Sequence, residues 1–290
     1  MLRHSSLAAA LLMGGCTLHQ GRPDVPVPEP TRTDYRVIRN VIVSPPDWPQ
    51  PLAADIYQPR GDGPFPAVLV LYGGGWHSGD RTQLKSIAKQ LARRGYVAVA
   101  GSYRLAPDHI WPTQLRDVQL DVRWMRTHAA QWRIDPQRIG AWGYSAGAHL
   151  AALLGGISAR DALYDADARV EAVVAGGTPS DLTKFPGGTL VPQFIGGTRD
   201  THYAQYQAAS PVHYVSAGDP PVFLYHGGFD RLVPPDHATD YRALLDAAGV
   251  PCELMILRGR GHITAFLTDG AAVDAALEFL DRRLRDDAGP

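Results

Sequence analysis

Arg138-Ile139-Gly140-Ala141-Trp142-Gly143-Tyr144-Ser145-Ala146-Gly147-Ala148-His149-Leu150-Ala151-Ala152-Leu153-Leu154 reads as a short apolar strand that turns at once into a helix, with a serine at the bend. A strand-to-helix bend this sharp forces strained dihedrals on its central residue and brings backbones too close for a Cβ, which is why Gly143 and Gly147 flank the turn. Such a bend would hold the Ser145 hydroxyl above the sheet edge, at the positive end of the following helix, where a developing oxyanion is favoured. Gly-x-Ser-x-Gly alone is a frequent chance match, and the bland reading is a structural turn. Between this strand and this helix it marks Ser145 as a candidate nucleophile.

Outward from that segment the chain alternates. Short apolar runs at 67–72, 97–102, 138–142, 170–175, 222–226 and 253–257 carry the signature of strands buried on both faces. Amphipathic stretches at 83–93, 114–131, 146–154, 236–248 and 271–285 predict helices between and after them. Residues 35–43 and 52–57, joined by Pro45-Pro46-Asp47-Trp48-Pro49, predict an antiparallel pair ahead of these runs. The pattern is α/β: a mostly parallel sheet of about eight strands with helices on both faces. Ligands in such sheets gather at the carboxyl ends of the strands, so the loops after each strand are where chemistry is sought.

Those loops hold the remaining candidates. After the run ending at Tyr72 come Gly73-Gly74-Gly75-Trp76, and three successive glycines expose backbone amides. The amides of Gly74, Gly75 and Ala146 are the expected donors of an oxyanion hole, against the bland reading of a flexible loop. After 222–226 comes Asp230, and after 253–257 comes His262, in the order acid then histidine. Neutral His262 would take and return the Ser145 proton, and Asp230 would fix its tautomer. With eleven histidines in the chain, position has to decide among them. His149, one turn past Ser145, reads as a structural histidine, His226 as a loop support or a rival base, and Asp236 as a helix N-cap.

Composition narrows the partners. Lys plus Arg (28) nearly balance Asp plus Glu (29), so no overall field favours nucleic acid or a polyanion, and a small neutral molecule is the expected partner. No Cys pair or His-Glu-x-x-His spacing is present, nor a phosphate or dinucleotide loop, so neither metal nor cofactor is expected. A hydrophobic fraction of 45% can fill one core.

At the amino end, Arg3 and His4 precede an apolar run over 7–13 and then Gly14-Gly15-Cys16. This run is too short to span a bilayer and resembles a bacterial lipoprotein signal, with lipid attached at Cys16 and the chain exported to face the periplasm or the cell exterior; the rival reading is an ordinary cleaved or cytosolic amino terminus. Met13 stands where that pattern prefers Leu. Residues 1–15 are expected to be the signal, 16–33, with Pro23, Pro26, Pro28 and Pro30, an extended linker, and 34–290 the catalytic domain. The second cysteine, Cys252, is expected to be a buried apolar residue without a disulfide.

Four segments together resemble a known family: Tyr72-Gly73-Gly74-Gly75-Trp76, Tyr103-Arg104-Leu105-Ala106-Pro107, Ile134-Asp135-Pro136 leading to the serine bend, and 226–234 around Asp230. They are similar to α/β-hydrolase esterases related to hormone-sensitive lipase, nearest the branch of feruloyl and acetyl-xylan-type esterases and kynurenine formamidase, over residues 35–284. The resemblance implies an α/β-hydrolase fold and ester hydrolysis through an acyl-enzyme. The family usually carries His where this chain has Tyr72, so the glycine loop is expected to be braced differently. The segment 176–219, where a lid usually enters, shows no long amphipathic helix, so a small cap and an open site are expected. Trp76, Tyr144, Phe185, Phe194 and Ile263 are the candidate pocket residues, suited to acetyl, short-chain or phenolic acyl groups, with plain core packing as the rival reading of each apolar side chain taken singly. Two rival readings are an amide-cleaving acyl hydrolase and a non-catalytic binding module.

Overall fold

In the computed structural model, residues 17–27 and 32–285 are described. Among them nine strands form one sheet: β1 (Leu18–Gln20), β2 (Tyr35–Ile42), β3 (Ala53–Pro59), β4 (Phe65–Leu71), β5 (Val97–Ala100), β6 (Ile134–Tyr144), β7 (Ala172–Gly176), β8 (Val222–Gly227) and β9 (Cys252–Leu257). Their order is β1-β9-β8-β7-β6-β4-β5-β3-β2. The six strands from β5 to β9 through β4 run parallel, and β1, β2 and β3 pair antiparallel at the margins. The helices are α1 (Lys85–Arg93), α2 (Thr113–Thr127), α3 (Ala129–Trp132), α4 (Ala146–Gly156), α5 (Leu190–Ile195), α6 (Tyr203–Ala208), α7 (Asp236–Ala247), α8 (His262–Leu267) and α9 (Gly270–Leu284).

The central strands are apolar on both faces because both faces are covered. Along β4, Ala67, Leu69 and Leu71 enter the core beneath α2, α4 and α7, while Val68 and Val70 enter the core beneath α1 and α9. The period-2 alternation of strand side chains divides one uninterrupted hydrophobic run between two layers. On α1, Ile87, Ala88, Leu91 and Ala92 make the buried stripe. Cys252 is buried, which pushes its thiol up to about 12, as expected of an apolar residue.

This order fixes the site. From β4 the chain moves outward to β5, then crosses back to β6 on the other side of β4, so the β4–β6 pair is the topological switch point. A crevice opens where successive connections diverge in this way. The glycine loop follows β4 and Ser145 follows β6.

The amino-terminal segment departs from expectation. Leu18–Gln20, inside the stretch expected to be a linker, pairs with β9, Leu18 opposite Ile256 and Gln20 opposite Leu254. His19 reinforces it, its Nε2 lying 3.0 Å from Glu253 Oε2, a carboxylate whose other oxygen accepts from Arg282 at 2.8 Å. A three-residue strand is too short for periodicity to reveal; the edge backbone of β9 supplies the pairing. The 7–13 run and Cys16 lie outside the described residues, among which no helix is long and apolar enough to cross a membrane.

Candidate active site

Ser145 has φ 54° and ψ −122°, a strained conformation for a residue with a side chain. A Cβ on Gly143 would strike the Gly147 backbone, and a Cβ on Gly147 would strike the carbonyls of Leu71 and Tyr72. Both glycines are therefore required by close approach. The bend is pinned by Ser145 N–H donating to the Gly176 carbonyl at 2.7 Å, and α4 begins as His149 N–H donates back to Ser145 at 3.0 Å.

The loops after β8 and β9 bring Asp230 and His262 to this serine. His262 Nε2 lies 2.8 Å from Ser145 Oγ, and His262 Nδ1 lies 2.6 Å from Asp230 Oδ2. Asp230 Oδ1 accepts from the amides of Leu232 and Val233, each at 2.9 Å. Burial alone would raise this carboxyl, but contacts with His226 and His262 and the Val233 amide outweigh it and hold the group well below the usual carboxylate range. The charge is thus kept beside the imidazole. The Tyr144 hydroxyl donates to the His262 carbonyl at 2.6 Å and fixes the start of α8.

The rival candidates sit elsewhere. His226 Nε2 lies 2.8 Å from the Val233 carbonyl and 3.4 Å from Asp230 Oδ2, bracing the acid loop away from Ser145. His149 is fully buried: its Nε2 faces the Ala209 carbonyl at 2.6 Å, and its Nδ1 accepts from Trp76 Nε1 at 3.2 Å. Burial lowers its pKa to about 4, so it is neutral and structural. Asp236 corrects the N-cap expectation. It is the first residue of α7, behind Pro235, and makes no side-chain cap; its carboxylate instead accepts from Lys184 Nζ at 2.9 Å.

The glycine loop lies against the nucleophile, since a Cβ on Gly73 would come 3.2 Å from Ser145 Cβ. Gly73 N–H donates to Gln83 Oε1 at 2.8 Å, whereas the Gly74 and Gly75 amides have no acceptor among the described residues. Gly74, Gly75 and Ala146 all line the cavity in front of Ser145. The loop is braced from Tyr72: Tyr72 and Tyr103 stack with ring centroids 4.4 Å apart and exchange hydrogen bonds. Tyr72 Oη donates to the Tyr103 carbonyl at 3.2 Å and Tyr103 Oη to the Tyr72 carbonyl at 2.8 Å. Burial pushes the Tyr72 phenol up to about 12, so it stays a donor, and it lies behind the site.

The cavity holds about 640 Å³. Trp76, Tyr144, Phe185 and Ile263 line it as expected, joined by Leu190 and Phe266. Phe194 does not reach it. It is fully buried behind Trp76, the two rings stacked at 4.4 Å and 15°. Gln83, Leu190 and Phe266 carried no sequence signal: one anchors through an amide oxygen, and the others sit on six-residue helices, too short to show a period. Among the described residues no cluster of His, Cys, Asp or Glu is arranged to hold a metal.

A parallel sheet crossing over at β4 and β6, with a strained serine after β6 and an acid and histidine after later strands, defines an α/β-hydrolase. The BD-FAE family model matches residues 54–245, and the chain belongs to that family. Among its relatives are two Mycobacterium tuberculosis proteins. LipM, a probable carboxylic ester hydrolase, is 31% identical over 62% of this chain and 44% of its own length; the esterase LipC is 31% identical over 69% and 53%. The chain thus spans about half the length of these curated relatives. Among solved structures, esterase 2 of Thermogutta terrifontis superimposes with a TM-score of 0.72 at 26% identity, covering 90% of this chain and 97% of that one. A truncated carbohydrate esterase from gut microbiota gives 0.78 at 24% identity, covering 89% and 99%.

Proposed function

We propose that this chain is a serine carboxylic-ester hydrolase acting on short-chain, acetyl or phenolic acyl esters through an acyl-enzyme. The observation that carries the reading is the continuous hydrogen-bonded path from Ser145 Oγ through both nitrogens of His262 to Asp230. With Asp230 ionised, Nδ1 keeps its proton and Nε2 is left as the base. His262 takes the hydroxyl proton as Oγ attacks the ester carbonyl, and the charge that forms on oxygen is met by the amides of Gly74, Gly75 and Ala146. The imidazolium gives its proton to the departing alcohol. A water activated by the same nitrogen then attacks the acyl-Ser145, and the second tetrahedral species collapses to acid and free serine.

The cavity walls support a small acyl group, since Trp76, Leu190 and Phe185 surround the serine with apolar surface. Thermogutta esterase 2, solved once with butyrate bound and once with propionate bound, points the same way. Export with lipid attachment at Cys16 belongs to the same reading, supported by the sequence of residues 3–16. Cell fractionation and a mass shift at a Cys16 amino terminus test that part.

The reaction is tested with p-nitrophenyl acetate, butyrate and decanoate, using a chain that begins at Thr17 and so keeps every strand and helix among the described residues, beside its Ser145→Ala variant. Turnover of the short esters that vanishes in the variant supports the reading. Equal background in both proteins sinks it and moves attention to amide substrates.

A further inference from the structure

Four large apolar side chains stand in solvent on the Asp230 loop and on α8, at or next to the cavity: Phe229 (73% exposed), Leu232 (51%), Ile263 (62%) and Leu267 (69%). They form one rim. Leu232 and Ile263 both line the cavity, Ile263 and Leu267 are four residues apart on α8, and Phe229 N–H donates to the Arg260 carbonyl at 2.8 Å. A single exposed apolar residue is ordinary, but a cluster this exposed marks a surface made to be covered. Arg231, Arg258 and Arg260 flank the cluster; all three are exposed, and their side chains have no acidic partner among the described residues. Apolar side chains with a cationic surround complement an anionic lipid surface, where the apolar groups enter the acyl boundary and the guanidinium groups meet phosphates.

Given the lipid anchor proposed above at Cys16, the direction of β1 favours lipid over a protein partner. β1 is antiparallel to β9, with Leu18 opposite Ile256, so its amino end lies at the carboxyl end of β9, beside the loop that carries Arg258 and Arg260. Thr17 precedes it, and Cys16 is one further Cα step of about 3.8 Å along the chain. An anchor at Cys16 therefore attaches to the domain at the same end as the apolar rim.

We propose that this rim is a membrane-docking surface that presses the mouth of the cavity against the anionic bilayer holding the Cys16 anchor, so that the site opens onto lipid. The choice of lipid rests on the proposed anchor, while the rim itself needs neither that anchor nor the proposed reaction. The test accordingly uses the lipid-free chain from Thr17, floated with vesicles of phosphatidylglycerol and phosphatidylcholine. Binding to these vesicles is expected, with weaker binding to phosphatidylcholine alone. Phe229→Ser with Leu267→Ser should lower the partition coefficient by about tenfold or more, and Arg258→Gln with Arg260→Gln by about fivefold per charge. Turnover of dissolved p-nitrophenyl acetate by the Phe229/Leu267 variant should stay at the parent's value, showing that fold and site are intact. Arg60→Gln with Arg93→Gln, in an arginine-lined cleft at the opposite end of the sheet, should leave partition unchanged. Equal partition of parent and Phe229/Leu267 variant overturns the proposal, as does loss of binding through Arg60 and Arg93. A parent that ignores vesicles but forms a dimer abolished by the Phe229/Leu267 change overturns it in favour of a second copy of the chain.

Discussion

Asp230→Asn keeps the size of the side chain and one carbonyl oxygen while removing the charge. Oδ1 accepts from two backbone amides at 2.9 Å, so the new amide keeps its oxygen there and turns its NH₂ group toward His262 Nδ1, 2.6 Å from the present Oδ2. Nδ1 then has to accept, the proton moves to Nε2, and Nε2 can no longer take the proton of Ser145 Oγ, 2.8 Å away. The expected loss in kcat is about 10⁴-fold, or about 5 kcal/mol of barrier, with KM little changed. Stability should fall by only about 1.5–3 kcal/mol, the worth of one hydrogen bond to a charged group, because both amide contacts survive. Steady-state turnover of p-nitrophenyl acetate and a urea melt measure the two effects separately. A variant within about tenfold of the parent rate would refute the tautomer argument and place the acid elsewhere.

Gly74 has φ 115°, and a Cβ there would strike the Ser78 carbonyl, so Gly74→Ala should displace the free amides and lower kcat by about 100- to 1,000-fold; steady-state kinetics beside a thermal melt separate this from unfolding. Gln83→Leu leaves Gly73 N–H without its acceptor and should cost about 1–3 kcal/mol of stability with a fall in kcat larger than any change in KM. His149 has a folded pKa lowered to about 4 from 6.5, so the unfolded chain takes up the proton first. Its contribution is complete above about pH 6.5 and is lost as pH falls toward 4, reaching about 2 kcal/mol at about pH 5. Urea melts at a series of pH values should show a shallower acid slope in His149→Leu than in the parent, from a lower starting stability; identical slopes would contradict the assignment.

The parallel sheet was legible because strands covered on both faces need apolar residues at every position, and runs such as Ala67–Leu71 have no other use for them. The serine bend was legible because two backbone collisions leave glycine as the only choice at 143 and 147. Asp230 and His262 followed from the places where the topology ends its strands. What escaped had little or no local signature. β1 exists because β9 offers an open edge, and α5, α6 and α8 are six residues each, shorter than two turns. Phe194 was placed on the cavity wall because apolar residues that line a pocket and those that back it look alike in sequence; only the stacking of Trp76 across it decides. Asp236 follows two prolines, a setting that suits an N-cap, but Lys184 from fifty-two residues upstream takes the carboxylate. The exchange of hydrogen bonds between Tyr72 and Tyr103 joins two loops and is visible only in three dimensions.

The most direct test of the central claim is to treat the chain with a fluorophosphonate and map the adduct by peptide mass spectrometry. One equivalent of phosphonyl group on Ser145, with labelling abolished in Ser145→Ala and strongly slowed in His262→Ala, is the result the geometry predicts. Labelling at another residue, or equal labelling of the parent and the Ser145→Ala variant, would contradict it.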